Sequence, residues 1–488
     1  MVSRVGGGPG PALLSVPEPG LTPREVIRRA QSFRQMLRDQ QEEAERLGHY
    51  TPQVHEAFLK AGFYRILQPK RYGGYEFPME TYLKVSIEVG RGDPGSAWCL
   101  GLGLHHALLI GAHWPAQAQD EIFTAAKGDF IAPHRAPPGG TVVPAEGGYA
   151  VSGRWRYSSG VPYASHFIGG AMLQPEDPGA APEAVNVVVP RGQFEIVPGS
   201  WGNGETFGLQ STGSHTVVID HTVIPRHYVA QAPMLGSPAP TPGTELHGNP
   251  MYLGRLGGFY HAGLVAPQVG AARAALDEYE LLMREGPTGG IGQPPGLKRL
   301  DNPMYQRNFG LALALTDAAE AIVIRAGEMY SEYCELWATE GRPFSLEDDL
   351  RLWTQSQQAG RLAFEAVELL WRTSDSSVTG RRGQRMQRYY KDVSMYRGHG
   401  AAQPDIIAPW AAQVTLGLPF ENPMAARGKT RALAGGGVEQ VVVALALAEQ
   451  QPAVVQQVGL VERAVRADYR AVGRGRALGD RPPGVGQR

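Results

Sequence analysis

The sequence predicts an α+β chain in which a helical segment, a strand-rich middle and a second helical segment follow one another. Three observations predict it. Apolar residues recur at helical spacing from residue 22 onward, after a clear start signal. Between about residues 128 and 235 the pattern changes to short runs of β-branched and aromatic residues punctuated by Gly, Pro and Asn. From Leu253 onward long helical runs return. The expected division is a disordered arm over 1–21, a helical domain over 22–127, a β domain over 128–235, a helical domain over 236–452 and a largely disordered tail over 453–488.

Residues 1–21 are rich in Gly and Pro, a composition that buries little apolar surface. Thr22-Pro23-Arg24-Glu25 places an N-cap, a proline at the first helical position and a capping-box glutamate in order. Val26, Ala30, Phe33, Leu37, Ala44 and Leu47 follow at helical spacing. Thr51-Pro52 repeats the start signal and Gly62 is a stop. A helix is expected from about Pro78 to Val89, and a buried one from Pro94 to His113, where nearly every residue is small or apolar. Tyr149–Tyr157, Val185–Val189 and His215–Asp220 read as strands. Residues 236–250 are Pro-rich and read as a loop, as does 286–304. Ala262–Leu282, Asn308–Leu336, Leu346–Arg372 and Val438–Ala448 read as helices.

The bulk numbers exclude several functions. Lys plus Arg number 46 against 47 Asp plus Glu, so no global field draws in nucleic acid. No apolar run reaches the ~18 residues that span a bilayer, and the N-terminus lacks a secretory apolar core. No membrane association is expected. Two cysteines, Cys99 and Cys334, show neither CxxC nor zinc spacing, so no metal site is expected and the cytoplasm is the default compartment. No GxGxxG element joins a strand to a helix, which argues against a nicotinamide site.

Four segments together resemble the acyl-CoA dehydrogenase superfamily. They are Ala61–Gly74 with its Pro69-Lys70-Arg71-Tyr72-Gly73-Gly74 turn, Val89–Trp98, the pair Gly208–Ser214 and Val217–Pro225, and Arg388-Tyr389-Tyr390-Lys391-Asp392. The third carries Gln210 where the family has arginine. Their order spans residues 25–450. The resemblance implies an N-terminal α domain, a middle β-barrel or sandwich and a C-terminal four-helix bundle, usually assembled as a homotetramer.

Two departures resemble the flavin-dependent monooxygenase branch, the oxygenase components of two-component aromatic hydroxylases. The dehydrogenase glutamate that should follow Asp392 is missing; His399 and Gly400 stand there, and the next carboxylate is Asp405. Trp155-Arg156-Tyr157-Ser158-Ser159-Gly160 takes the form of the oxygenase strand end. By that resemblance Ser158, Ser159 and Gly160 lie along the flavin, with Ser159 accepting from flavin N5. His399 is then a flavin-side catalytic histidine. The implied cofactors are reduced flavin (FMN or FAD) and O2, acting through a C4a-hydroperoxyflavin, and a separate NAD(P)H:flavin reductase is the implied partner.

Oxygen transfer to a phenol favours the phenolate, and a phenol titrates near pH ~10, so a base is needed. His106 is the first candidate and His105 the second; adjacent residues cannot share one helix face. His134, Trp98 and Tyr163 are further substrate-side candidates, and Arg284 is the candidate for flavin phosphate, although the residues expected after it are absent. Each has a plain structural alternative: a core histidine, a strand-end serine bonding its own turn, an aromatic that packs. The expected reaction is hydroxylation of a phenolic or polycyclic aromatic, the loops 236–252 and 286–304 being placed to shape a large pocket. Oxygenation of nitrogen or sulfur, an acyl-CoA dehydrogenase and a non-catalytic scaffold remain open alternatives.

Overall fold

The computed structural model describes residues 11–420 apart from 178, 203, 205, 232–240, 287–296, 376–378 and 381–382. The chain divides into a compact unit, 1–429, and a second, 430–488; the second, with the expected helix at Val438–Ala448 and the tail, lies outside the described residues.

Six helices come first: α1 Pro23–Ser32, α2 Arg34–Leu47, α3 Pro52–Ala61, α4 Met79–Gly90, α5 Pro94–His113 and α6 Ala116–Ala125. The start signals act as read. Thr22 accepts from the Glu25 N–H at 3.2 Å, and Thr51 accepts from Val54. The run expected as one helix from Thr22 breaks at Phe33. Asp93 caps α5, accepting from Ser96 N at 2.8 Å. By length and composition α5 could cross a bilayer, contrary to the sequence expectation, but it is 94% buried as the core helix of this unit.

The strands are β1 His134–Ala145, β2 Gly148–Trp155, β3 His166–Leu173, β4 Glu183–Pro190, β5 Glu195–Ile196, β6 Val217–Ile224 and β7 Val229–Ala230. Among the described residues they form one sheet in the order β5-β6-β2-β1-β3-β4-β7, with β1 and β3 parallel and the other pairs antiparallel. The alternating segments were legible; β1 and β3 were not. Pro137, Pro138, Gly139 and Gly140 interrupt β1 where its register with β3 shifts, so no period-2 pattern survives there.

The second helical stretch holds α7 Pro242–His247, α8 Gly257–Glu285, α9 Pro303–Glu340, α10 Leu346–Thr373, α11 Arg385–Arg397 and α12 Pro404–Thr415. Residues 242–247, expected in a loop, form α7 because Thr241 accepts from Thr244 N and Pro242 opens the first turn. Helix α8 is central, packing along α9, α10 and α4. The described part of the 286–304 loop includes a short turn at Arg299–Asp301, and α9 already begins at Pro303.

Three of the four family-like segments, Val89–Trp98, Gly208–Pro225 and Arg388–Asp392, converge through long-range bonds. Ser211 Oγ donates to Asp93 at 3.0 Å, and Leu209 N donates to Asp392 at 2.6 Å. Arg388 donates to Glu45 at 2.7 Å and to Gln41, whose amide in turn donates to Gly92 O. The motifs are therefore largely joints between the helical layers and the sheet.

Candidate active site

Helix α5 supplies one wall. Trp98, Leu102 and His106 recur every fourth residue and so share a face. His106 is buried at 2% exposure, while Leu102 stays partly open within an otherwise buried stretch. The start of β1 supplies His134 and Arg135, the first turn of α8 supplies Tyr260, and the turn after α11 supplies His399. The His106 and His134 rings stand perpendicular with centroids 5.3 Å apart, and Tyr260 lies 5.9 Å from His106 and 6.4 Å from His134. His399 meets Trp98 edge-on at 5.9 Å.

The two catalytic candidates are held in opposite tautomers. His106 Nδ1 lies 2.6 Å from Ala132 O. A carbonyl only accepts, so Nδ1 carries the proton and Nε2 keeps a lone pair. His399 Nδ1 instead accepts from the Ala401 N–H at 3.2 Å, which places its proton on Nε2. Both rings are neutral at pH 7. Burial pushes His106 well below the ordinary imidazole range, with His134 and His105 adding to it. His399 is reachable by solvent but sits in a recess dense with protein; that desolvation, then the Arg135 charge, lowers it to about 4. One histidine thus offers an acceptor and the other a donor. His134 is lowered to about 4, chiefly by burial, and meets Asn186 Oδ1 at 3.2 Å.

His105 turns the other way. It bonds Tyr82 OH and packs on Phe259, in the layer between α4 and α8. Gly263 makes room for this pair, since a Cβ there would lie 1.8 Å from His105 Nε2. This is the core-histidine alternative. Ser158 is fully buried and donates to Trp155 O at 3.3 Å, its own turn. Ser159 is partly exposed and lies 2.7 Å from Ser214 Oγ. Gly160 adopts φ +84°, and its N–H donates to Thr212 O at 2.8 Å, which fixes the direction of the strand end. Tyr163 is not brought to the histidines: it stacks on His55 at 4.2 Å and donates to Tyr50 O at 2.9 Å. Arg284 sits exposed in the last turn of α8, paired with Glu280 at 2.7 Å.

Tyr260 escaped the sequence reading. Its hydroxyl is buried with no hydrogen-bond partner among the described residues, and burial raises its pKa. Nothing local marks it; its ring lies between His105, at 5.1 Å, and the pair His106 and His134. A dehydrogenase base is not available from the obvious carboxylates. Asp405 is exposed at the start of α12, and Asp349, raised by burial to about 6, is committed to the Gly258 N–H at 2.7 Å. A separate cleft of ≈ 340 Å³ is lined by Arg91, Arg273, Asp277 and Glu320, whose charges pair with one another.

The chain as a whole is similar to known proteins. Residues 24–122 match the acyl-CoA dehydrogenase N-terminal domain and residues 262–404 its C-terminal domain. The oxygenase subunit HsaA of Rhodococcus jostii, a flavin-dependent monooxygenase, is 28% identical over 80% of this chain and 97% of its own. The oxygenase component of an FADH2-dependent resorcinol hydroxylase from a Rhizobium species is 28% identical over 80% of this chain and 92% of its own. The crystal structure of a 3-HSA hydroxylase from Rhodococcus sp. RHA1 superposes with a TM-score of 0.72, at 24% identity, over 82% of this chain and 99% of that one.

Proposed function

Because the chain belongs to the acyl-CoA dehydrogenase family, in its flavin-dependent monooxygenase branch, we propose that it is the oxygenase component of a two-component system hydroxylating a phenolic or polycyclic aromatic. The observation that carries this is the pair of neutral histidines in opposite tautomers, His106 and His399. Asp405 is turned to solvent, and Asp349 is held by the Gly258 N–H.

The residues present fit a reduced flavin with its substrate. Trp98, Leu102 and His106 share one face of α5, and Tyr260, whose hydroxyl is buried with no partner among the described residues, adjoins His106 and His134. When bound, reduced flavin supplies the electrons that activate O2. His106, through its Nε2 lone pair, accepts a hydrogen bond from the phenol hydroxyl and draws its proton away from the ring oxygen as oxygen is transferred. His399, protonated at Nε2, donates to an oxygen atom in the recess. Ser159 accepts from flavin N5–H, and the apolar walls limit water. The relatives' names as oxygenase subunit and component support a separate reductase supplying the flavin. Exposed Met304, Leu311 and Leu313 on α9 support the expected assembly through the C-terminal helices into a homotetramer.

A stopped-flow experiment tests the reading. The protein is mixed anaerobically with reduced FMN or FAD, then with O2 and a panel of phenols. A transient with an absorbance unlike reduced or oxidised flavin is expected, followed by hydroxylated product. Direct return to oxidised flavin with stoichiometric hydrogen peroxide across the panel overturns it. A dehydrogenase would instead bleach bound FAD with an acyl-CoA and no reductase.

A further inference from the structure

Three hydroxyl groups run in series from Ser159 into the core. Ser159 Oγ lies 2.7 Å from Ser214 Oγ, and Ser214 Oγ lies 2.7 Å from Thr212 Oγ1. Thr212 Oγ1 donates to Leu209 O at 2.8 Å. Each hydroxyl has a single proton. The Leu209 carbonyl can only accept, so the Thr212 proton is committed to it. Thr212 must then accept from Ser214, and Ser214 must accept from Ser159. The series has one direction, and the proton of Ser159 points inward.

The inner end is fixed. Leu209 adopts φ +51°, a conformation that residues with side chains rarely take. Its N–H is held by Asp392 at 2.6 Å. Thr212 and Ser214 are buried at 2% and 4% exposure, and the Thr212 carbonyl receives Gly160 N and Cys99 Sγ. Ser159 is the one partly exposed member. It can therefore present only lone pairs outward.

We propose that Ser214 and Thr212 are positioning residues that make Ser159 an obligate hydrogen-bond acceptor, so that the site selects reduced over oxidised flavin. The reduced ring carries a proton on N5; the oxidised ring offers only a lone pair there, which meets the lone pairs of Ser159. The inference rests on the reading of Ser159 as the residue facing N5. Such selectivity suits a component that takes its flavin by diffusion from a reductase and must release the oxidised form.

The test is binding, not turnover. Dissociation constants of oxidised and dithionite-reduced FMN and FAD are measured by anaerobic ultrafiltration for wild type, Ser214→Ala, Thr212→Val and the conservative Thr212→Ser. Wild type and Thr212→Ser are expected to favour the reduced form. Ser214→Ala and Thr212→Val each free the Ser159 proton to donate to oxidised N5, so the oxidised-to-reduced ratio of constants falls about five- to tenfold, the worth of one hydrogen bond. If the hydroxyls merely clamp the strand ends, both variants lose stability and keep the wild-type ratio, which overturns the inference alone. No preference for reduced flavin in wild type overturns both it and the function on which it rests. Thr212→Val keeps the test alive should Ser214→Ala fail to fold.

Discussion

The imidazole of His399 stands edge-on to the indole of Trp98, ring centroids 5.9 Å apart at 67°. This joins the turn after α11 to the Trp98–His106 face of α5 and sets a donor beside an aromatic ring. His399→Ala should keep the fold, because the residue is exposed and bonds only within its own turn. Stability should move by about 0.5 kcal/mol or less, while hydroxylation slows about a hundredfold and peroxide release rises. Product and peroxide yields per flavin check this; unchanged yields would remove His399 from the mechanism.

His106→Asn keeps a donor for Ala132 O but loses the Nε2 lone pair. Hydroxylation at pH 7 should fall by about 10²–10⁴. The deficit should shrink as pH approaches the ~10 at which a phenol ionises unaided. Parallel pH profiles for variant and wild type would show that His106 only packs.

Ser159→Ala removes the proposed acceptor at flavin N5 without disturbing the buried Ser158. A larger share of O2 should leave as hydrogen peroxide, and the transient should decay faster. Peroxide assay with stopped-flow absorbance decides; an unaltered lifetime excludes Ser159.

Gly263→Ala drives a methyl group into His105 and Tyr82. The cost should be about 1–3 kcal/mol, as for overpacked cores. His105→Ala in the same background should recover part of it, because the ring is gone and Tyr82, whose hydroxyl lies 2.1 Å from the added Cβ, is released to move. A double-mutant cycle by urea denaturation measures the coupling, and additive losses would contradict the contact.

Burial holds His105 at about 3 and His134 and His166 at about 4, below the ordinary 6.5. Between those values the unfolded chain binds protons that the folded chain refuses. Stability is therefore fully present above about pH 6.5 and is lost as pH falls toward about 4. The urea midpoint should drop across that window, and less steeply in His134→Gln. A flat midpoint from 6.5 to 4 would count against neutral buried histidines.

The local signals sufficed for much of the architecture. Thr22, Thr51 and Asp93 cap the helices they precede, and α5 spans Pro94–His113 as its apolar run implies. Caps and periodicity act within a few residues, so a linear reading captures them. The motif segments were legible for a related reason: each residue type is demanded by a joint such as Asp93 with Ser211 or Asp392 with Leu209.

The sequence by itself determined the helical, strand-rich, helical order of the segments, the missing glutamate and the presence of two histidines side by side in α5. Only the tertiary structure decided that His106 turns toward His134 while His105 turns toward Tyr82 and Phe259, in the layer between α4 and α8. Successive residues on a helix point about 100° apart, so neighbours in sequence face different surroundings. It also decided which nitrogen of each histidine holds the proton and which way the Ser159 hydroxyl points. The His106 proton and the Ser159 hydroxyl depend on Ala132 and Ser214, 26 and 55 residues away, which only the folded chain brings within hydrogen-bond reach; His399 is set by Ala401 in its own turn.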